Sequence, residues 1–150
     1  MDQKQCEALD YSKMVKATVT AILSPSEAER STVLLTRRNV DPFKNCWCFP
    51  GGHIDNGETA LAAVIRESAE ETGLSMQSPF FLGYCDEVFP EYSFHAVVLM
   101  FCGTATGTLN PQPGEVSNIG WFSIDHARKL TLAFNHQEVL YRYEKHLETT

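Results

Sequence analysis

Residues 52–74 read GHIDNGETALAAVIRESAEETGL. Within this stretch Glu67, Glu70 and Glu71 follow one another at helical spacing. Because an α-helix turns once in about 3.6 residues, the three side chains share one face. Neighbouring carboxylates repel one another and favour a bound cation, and oxygen ligands of this type suit Mg²⁺ or Mn²⁺. The spacing therefore predicts a divalent metal site; a solvated acidic helix face is the alternative.

The same stretch carries the signals of a complete helix. Residues 59–72 have helical periodicity, and Gly73 is a natural residue for the position just after the last turn. Glu58 lies at the predicted N-terminus, where unpaired amides and the helix dipole favour a carboxylate. Ser68 is expected at the border of the apolar face of this helix. That face is predicted to consist of Leu61, Ala62, Ile65 and Ala69.

The composition narrows the class of protein. A chain of 150 residues has the size of one ordinary domain and buries roughly two-thirds of its unfolded surface. With 43% hydrophobic and 21% charged residues it is typical of globular proteins. The formal charge of -7 argues against binding a nucleic-acid polymer, which requires arrays of Lys and Arg. A small phosphorylated ligand is compatible with this charge if metal ions neutralise the site.

The sequence also bears on localisation. Residues 1–14 are polar and lack the apolar core of a signal peptide. The longest apolar run, residues 96–102, is far shorter than a membrane span. The five cysteines include no CxxC pair, so neither a disulfide scaffold nor a zinc ribbon is indicated. A cytoplasmic protein with no membrane segment is expected.

Strand patterns lie on both sides of the predicted central helix. Strands are predicted for residues 15–23, 32–36, 47–49, 80–89, 94–105 and 121–124. Residues 107–120 are predicted to be mostly loop. A short helix capped by Asp125 and a final helix capped by Asn135 complete the chain. This order of elements predicts an α/β fold, an α/β/α sandwich around a mixed β-sheet.

The stretch from Gly52 to Leu74 resembles the Nudix box, the signature of hydrolases that act on nucleoside diphosphates linked to another group. Its pattern is Gly-x5-Glu-x7-Arg-Glu-x2-Glu-Glu-x-Gly-Leu. Ser68 is the one departure, because the family usually has an aliphatic residue there. The resemblance implies a single Nudix domain over residues 1–150, with the same α/β/α sandwich. It also implies Mg²⁺-dependent hydrolysis of a pyrophosphate linkage, with Mn²⁺ as a possible substitute.

The resemblance assigns roles to residues of the box. Glu67, Glu70 and Glu71 match its metal-binding positions. The main-chain carbonyl of Gly51 lies where the family often supplies another oxygen ligand. Arg66 is spaced to hold the Glu70 carboxylate, so orienting that ligand is its expected role. The family takes its general base either from the box, where Glu67 is a candidate, or from a distal loop.

Further candidates lie outside the box. Glu115 resembles the loop glutamate that completes the metal site in some members, and it is a second candidate base; a solvated loop residue is the alternative. Arg37 and Arg38 end a predicted strand, and Arg37 is our candidate for a phosphate contact. His53 follows the glycines and is a second candidate, although a loop histidine is more often merely exposed.

Substrate choice is left open by two resemblances in residues 132–136, LAFNH. Asn135 offers the donor and acceptor that reading a base requires, and it resembles an Asn of members that cleave oxidised purine triphosphates. The same segment also resembles one found in members that act on ADP-ribose and related dinucleotides, where Asp stands in place of the Asn. Phe134 is a candidate for stacking a base.

We therefore expect a nucleoside triphosphate as substrate, cleaved to a monophosphate and pyrophosphate, slightly ahead of ADP-ribose or an NADH-type dinucleotide. A Nudix module that senses a nucleotide without cleaving it is the further alternative. The expected partner is a small nucleotide only, and the expected assembly is a monomer or homodimer.

Overall fold

A computed structural model describes residues 13–150 of the protein. The expectation for residues 1–14 therefore lies almost wholly outside the described residues. The described part forms the strands β1 (Lys16–Ser24), β2 (Thr32–Arg38), β3 (Trp47–Cys48), β4 (Gly51–His53), β5 (Ser75–Phe89), β6 (Phe94–Thr106) and β7 (Val116–Ser123), and the helices α1 (Ala60–Thr72), α2 (Ile124–Lys129) and α3 (His136–Glu148). None of these helices has both the length and the hydropathy needed to cross a membrane.

The strands form two sheets. The first has the order β4-β1-β6-β5 and is mixed, because β1 and β6 run parallel while the other neighbours run antiparallel. The second is an antiparallel sheet with the order β3-β2-β7. Main-chain hydrogen bonds between Trp47 and residues 131–133 tie β3 to the segment before α3. This tie brings Phe134 and His136 next to the first sheet.

Two hydrophobic cores lie on opposite faces of the sheets. Successive side chains of a strand point to opposite faces, so β1 contributes to both cores. Val19 and Leu23 pack with Ala63 and Val64 of α1, whereas Ile22 packs on the side of the other two helices. The buried residues of α2 and α3 in that second core are Ile124, Ala127, Val139, Leu140 and Tyr143. The predicted α/β/α sandwich is confirmed.

Helix α1 agrees with its predicted bounds. It begins after Thr59, whose hydroxyl accepts a hydrogen bond from the amide of Ala62 at 3.1 Å. It ends at Gly73, which adopts a left-handed φ of 77° that favours glycine. The amide of Gly73 donates to the carbonyl of Ala69 at 2.9 Å. Both ends of the box helix are therefore set by residues within or next to the box.

The predicted apolar face of α1 is wrong. Leu61 and Ile65 are 46% and 39% exposed, and Ala62 and Ala69 are exposed as well. The buried positions are Ala63, Val64, Ser68 and Thr72. They lie about one turn from Glu67 and Glu71, so the face that carries these carboxylates is the one that docks on the sheet.

Ser68 lies at the centre of this buried face and not at its border. It is fully buried, and its hydroxyl donates to the carbonyl of Val64 at 2.7 Å. This bond satisfies the hydroxyl within the helix, which is why a polar residue is accommodated at a position where the family usually has an aliphatic one.

Three further elements differ from the sequence prediction. Strand β4 was not predicted, β5 begins at Ser75 and not at residue 80, and β7 begins inside the predicted loop 107–120. Each gains its strand structure by pairing with a neighbour distant in sequence, which local patterns do not reveal. The cap of α2 is Ser123, whose hydroxyl accepts from the amide of His126, and not Asp125.

Candidate active site

A cleft of about 310 Å³ lies beside the box. Its walls come from β1, the turn between β3 and β4, the end of α1, and strands β5 and β6. At one end it contains Gly51, Gly52 and Glu71, and at the other Glu87, Phe94, Phe134 and His136. We call these the carboxylate end and the far end.

The glycines allow the box helix to approach at the carboxylate end. A Cβ on Gly52 would lie 2.4 Å from Oε1 of Glu67, and a Cβ on Gly51 would lie 2.2 Å from the carbonyl oxygen of Val19. Side chains at these positions would therefore displace either the carboxylate or strand β1. The amide of Gly51 donates to Oε2 of Glu71 at 3.3 Å, so this carboxylate is held against the glycine turn.

Arg66 holds several carboxylates together. One of its terminal nitrogens donates to Glu67 at 2.9 Å and to Glu70 at 3.1 Å. Its Nε donates to Glu58 at 2.7 Å. Its second terminal nitrogen, Nη2, donates to Glu58 at 2.9 Å and to the carbonyl of His53 at 3.0 Å. The predicted contact with Glu70 is thus present, but Arg66 also fixes Glu67 and ties the helix to the turn before it.

Glu58 supports the site from outside the helix. It accepts the amide of Asp55 at 3.1 Å and does not cap α1, which Thr59 does. Hydrogen bonds from Arg66 and from this amide lower the pKa of Glu58 to about 2. A permanently charged Glu58 keeps Arg66 in place.

The carboxylate end is short of positive charge. Burial and the nearby charges of Glu67 and Glu115 raise the pKa of Glu71 to about 8, although the hydrogen bond from the Gly51 amide and the charge of Arg38 act in the opposite direction. The pKa of Glu67 is raised as well, chiefly by burial, and it is held down by Arg66. Carboxylates that repel one another in a partly dry site are stabilised by a bound cation.

Glu115 lies near this end through the loop that precedes β7. The amide of Gln112 in that loop donates to the carbonyl of Glu71 at 3.2 Å, and the carbonyl of Glu115 accepts from the amide of Asn39 at 2.9 Å. The loop is thereby packed on the end of α1, close enough for the Glu115 charge to act on Glu71. This placement keeps Glu115 a candidate for the metal site.

The oxygen donors at this end fit a hard divalent cation. Glu67, Glu70, Glu71 and the carbonyl of Gly51 supply carboxylate and carbonyl oxygens, the types that Mg²⁺ prefers. Among residues 13–150, no three His, Cys, Asp or Glu side chains are already arranged closely enough to hold an ion. In this arrangement Glu67 and Glu70 are both bound to Arg66.

Arg38, and not Arg37, lines the cleft. Nε of Arg37 donates to the carbonyl of Asn45 at 3.1 Å, away from the cleft, because neighbouring strand residues face opposite ways and the strand is irregular between these two residues. Nε of Arg38 donates to the carbonyl of Pro42 at 2.8 Å, and its guanidinium lies 4.9 Å from the ring centre of Phe134. The phosphate contact proposed for Arg37 is better placed at Arg38.

Aromatic rings surround the far end. Phe134 packs against Phe94 with ring centres 5.1 Å apart and against Phe43 at 4.8 Å. Nζ of Lys16 lies 5.6 Å from the ring centre of Phe94. Phe134 thus lies where a stacking residue is useful, as predicted, while Phe94 and Phe43 carried no sequence signal that distinguished them from core aromatics.

Asn135 is committed to the protein's own main chain. Its side-chain amide donates to the carbonyl of Asp86 at 2.5 Å, and its side chain makes no capping bond to α3. Neither the base contact nor the cap predicted for the Asn135 side chain is therefore supported by its position. His53 does line the cleft, and burial together with the charge of Lys16 lowers its pKa, so the imidazole is neutral near pH 7.

Sequence reasoning missed two buried polar residues at the far end, Glu87 and His136. Glu87 is 4% exposed and His136 is 5% exposed, and both line the cleft. Oε2 of Glu87 accepts the amide of Asn135 at 3.1 Å. The signal available was a charged residue that shares a strand face with the apolar Cys85 and Phe89, where a charge costs free energy unless it has a partner.

The family of the chain follows from comparison with known proteins. The model of the NUDIX domain matches residues 14–143. The chain belongs to the Nudix family. This result confirms the resemblance of residues 52–74 to the Nudix box.

Two curated relatives of this Nudix protein are informative. The ADP-ribose pyrophosphatase of Methanocaldococcus jannaschii is 31% identical over 111 residues, which cover 74% of this chain and 64% of the relative. The m7GpppN-mRNA hydrolase NUDT17 of Xenopus laevis is 36% identical over 118 residues, which cover 67% of this chain and 40% of the relative. The chain thus spans less than two-thirds of the length of either relative.

A solved Nudix structure agrees with the fold. The Nudix domain of Shewanella oneidensis NrtR, solved in complex with ADP ribose, matches with a TM-score of 0.77 and 24% identity. The match covers 93% of this chain and 94% of that domain. It shows that the two chains share the Nudix fold.

Proposed function

We propose that this Nudix protein is a Mg²⁺-dependent pyrophosphohydrolase that cleaves the phosphoanhydride of a small nucleoside diphosphate derivative. The observation that carries the proposal is the carboxylate end of the cleft. There the buried Glu71, with its pKa raised to about 8, lies against the glycine turn next to Glu67. Burial and mutual repulsion disfavour the ionised forms of these carboxylates, and a divalent cation bound between them and a phosphate would stabilise those forms.

Glu67, Glu70 and Glu71, with the carbonyl of Gly51 and the loop residue Glu115, are the residues that would hold the ion. There the ion would supply positive charge that neutralises the phosphates and makes the attacking water more acidic. Arg66 positions Glu67 and Glu70 through the hydrogen bonds of its guanidinium. It acts through these carboxylates and does not itself reach the cleft.

The chain's own residues complete the chemistry. Arg38 supplies donors for the phosphates in the middle of the cleft, between Glu71 and Phe134. Water that attacks phosphorus must lose a proton, and Glu67 or Glu115 accepts it. Both carboxylates are near Glu71, whose charge interacts with each of them.

For the substrate we propose ADP-ribose or a related dinucleotide ahead of a nucleoside triphosphate, the reverse of the order drawn from sequence. The triphosphate preference depended on the side chain of Asn135, which instead donates to the carbonyl of Asp86. The relative named ADP-ribose pyrophosphatase supports the new order. Capped RNA, as in the name of the NUDT17 relative, fits less well with a chain of net charge -7.

The test is a hydrolysis assay with Mg²⁺ over ADP-ribose, NADH, nucleoside triphosphates including oxidised purines, and a cap dinucleotide, with the products identified. The proposal predicts fastest turnover of ADP-ribose, to AMP and ribose 5-phosphate. If pyrophosphate were released from a nucleoside triphosphate faster than ADP-ribose is cleaved, the triphosphate would again be the preferred substrate, as expected from the sequence. Tight binding of ADP-ribose with no turnover of any compound would make the protein a sensor and refute the enzymatic proposal.

A further inference from the structure

Glu87 is a buried charge that the proposed hydrolysis does not use. It lies near the end of β5, is 4% exposed, and faces the far end of the cleft, across from the carboxylates of α1. A carboxylate in such a place costs free energy unless it is hydrogen-bonded or meets a ligand. Its neighbour Asp86 points to the opposite face and is exposed, so the acidic character of the strand does not explain Glu87.

Within residues 13–150, only one oxygen of Glu87 accepts a hydrogen bond. Oε2 accepts the amide of Asn135 at 3.1 Å and so helps to fix the start of α3. For Oε1 the structure shows no hydrogen bond to any of residues 13–150. No fully buried side-chain oxygen or nitrogen in that range lacks a partner. Oε1 therefore reaches the cleft as an acceptor.

His136 places a donor beside this acceptor. Its Nδ1 accepts the amide of Phe49 at 3.0 Å, so the proton of the neutral ring lies on Nε2. Burial lowers the pKa of His136 to about 3, which keeps the ring neutral. Nε2 lies 3.9 Å from Oε2 of Glu87, too far to be used up by a hydrogen bond to it. The ring lines the cleft.

We infer that Glu87 and His136 select a nucleobase whose edge carries an N–H donor next to an acceptor: Glu87 accepts from the base and His136 donates to it. The inference rests on the proposed function and specifies its base-binding end. Phe134 and Phe94 supply apolar faces on which such a base packs. Adenine has this pattern, since its 6-amino group adjoins N1 and N7, whereas unsubstituted purine lacks the donor.

Substitution of Glu87 by Gln tests this inference without removing the structural bond. The Gln carbonyl takes over the acceptance of the Asn135 amide, and its NH₂ group then faces the cleft. The variant thus replaces an acceptor by a donor at the same volume. Asp86→Asn is the matched control, because it makes the same change of charge one residue earlier on the opposite face of β5.

The experiment compares ADP-ribose with its analogue in which unsubstituted purine replaces adenine. For wild type, we expect KM to be roughly tenfold or more lower for ADP-ribose than for the analogue, because a binding site with buried polar groups rejects a ligand that leaves them unpaired. E87Q should raise KM for ADP-ribose to about the value for the analogue, with kcat within a factor of about three. Asp86→Asn should behave as wild type.

Calorimetric titration of both compounds into wild type and E87Q, with Ca²⁺ in place of Mg²⁺, gives the same comparison without turnover. It separates failure of the inference from failure of the proposed enzyme, because a non-hydrolysing protein can still prefer adenine. Equal KM or Kd of wild type for the two compounds would overturn the inference even if E87Q does not fold. An equal loss with both compounds in folded E87Q would also overturn it, because that result indicates only a structural role.

Discussion

The two ends of the cleft are built in different ways. At the carboxylate end, Glu67, Glu70 and Glu71 come from little more than one turn of α1, and Arg66 of the same helix holds two of them. The far end combines side chains from separate elements, among them Glu87 of β5 and His136 of α3. Helix geometry brings the three carboxylates of the first end together, whereas the side chains of the second end meet only through the packing of sheets and helices. Substrate preference can therefore change at the far end without moving the groups that act on phosphate.

The largest effect should come from removing a charge at the carboxylate end. Glu71→Gln keeps the volume of the side chain and the bond from Gly51 but removes a negative charge from the metal site. We expect kcat to fall by about 10² or more, with the fold intact, on the scale of losing one charge-stabilising group. Steady-state kinetics and circular dichroism provide the measurement.

Glu148→Gln on the exposed end of α3 is the control for that variant, since it makes the same chemical change far from the cleft. It should leave kcat unchanged. Turnover of the Glu71 variant near that of wild type would exclude Glu71 from the site.

A smaller effect on kcat should come from Arg66→Lys, which keeps the positive charge but replaces the planar guanidinium by an ammonium group. An ammonium cannot bind Glu58, Glu67 and Glu70 together in the planar geometry of a guanidinium. We expect kcat to fall roughly tenfold, with a smaller change in KM, because the carboxylates are less well oriented. A Lys variant with normal kcat would show that the alignment of these carboxylates does not need Arg66.

At the far end, Phe134→Leu should change binding more than turnover. The substitution keeps an apolar side chain but removes the ring face that lies 4.9 Å from the Arg38 guanidinium. Loss of stacking and of the cation–π contact should raise KM for a nucleotide by roughly three- to tenfold. A fall in kcat as large as that of Glu71→Gln, with KM unchanged, would contradict the division between the two ends.

The smallest expected effect is on stability and depends on pH. Because the folded state holds the Glu71 proton up to a pKa of about 8, whereas the unfolded chain releases it near its ordinary value, the folded state binds more protons between these values. The buried His136, whose pKa is lowered, contributes the opposite slope below the ordinary pKa of histidine, so the effect of Glu71 is separate only above about pH 6.5. From there to about pH 8 the free energy of unfolding of the metal-free protein should therefore fall as pH rises. The change is at most a few kcal/mol.

Urea unfolding at several pH values, with a chelator, measures this slope. Glu71→Gln should flatten it, and added Mg²⁺ should stabilise the wild type most at the alkaline end. A stability that rises from about pH 7 to about pH 8 in the metal-free protein, where His136 no longer contributes, would contradict the direction of the Glu71 pKa shift.

The sequence predicted those parts of the site that depend on neighbours in the chain. Glu67, Glu70 and Glu71 lie on one helix whose limits are marked by Gly73 and its first turn, so spacing sufficed. The sequence did not predict which face of α1 packs on the sheet. Leu61 and Ile65 are spaced along the helix in the same way as the apolar residues that are buried, so periodicity did not distinguish the two faces. The choice is made by contact with the glycine turn, a tertiary effect.

Far-end residues escaped prediction for a related reason. Whether Arg37 or Arg38 faces the cleft depends on which side of β2 each side chain lies. The register of β2 shifts between these two residues, and a shift by one residue exchanges the two sides. Glu87 and His136 are distant in sequence and become neighbours only through the packing of α3 on β5. Asn135 looked like a base contact in sequence, but its amide bonds to β5.

The most direct test of the central claim is a crystal structure with Mn²⁺ and a non-hydrolysable methylene analogue of ADP-ribose, with the ions located by anomalous scattering. The proposal predicts Mn²⁺ coordinated by Glu67 and Glu71 beside Gly51, with the diphosphate between these residues and Arg38. Density for the analogue without any ion at those carboxylates, or ions bound only elsewhere, would contradict it.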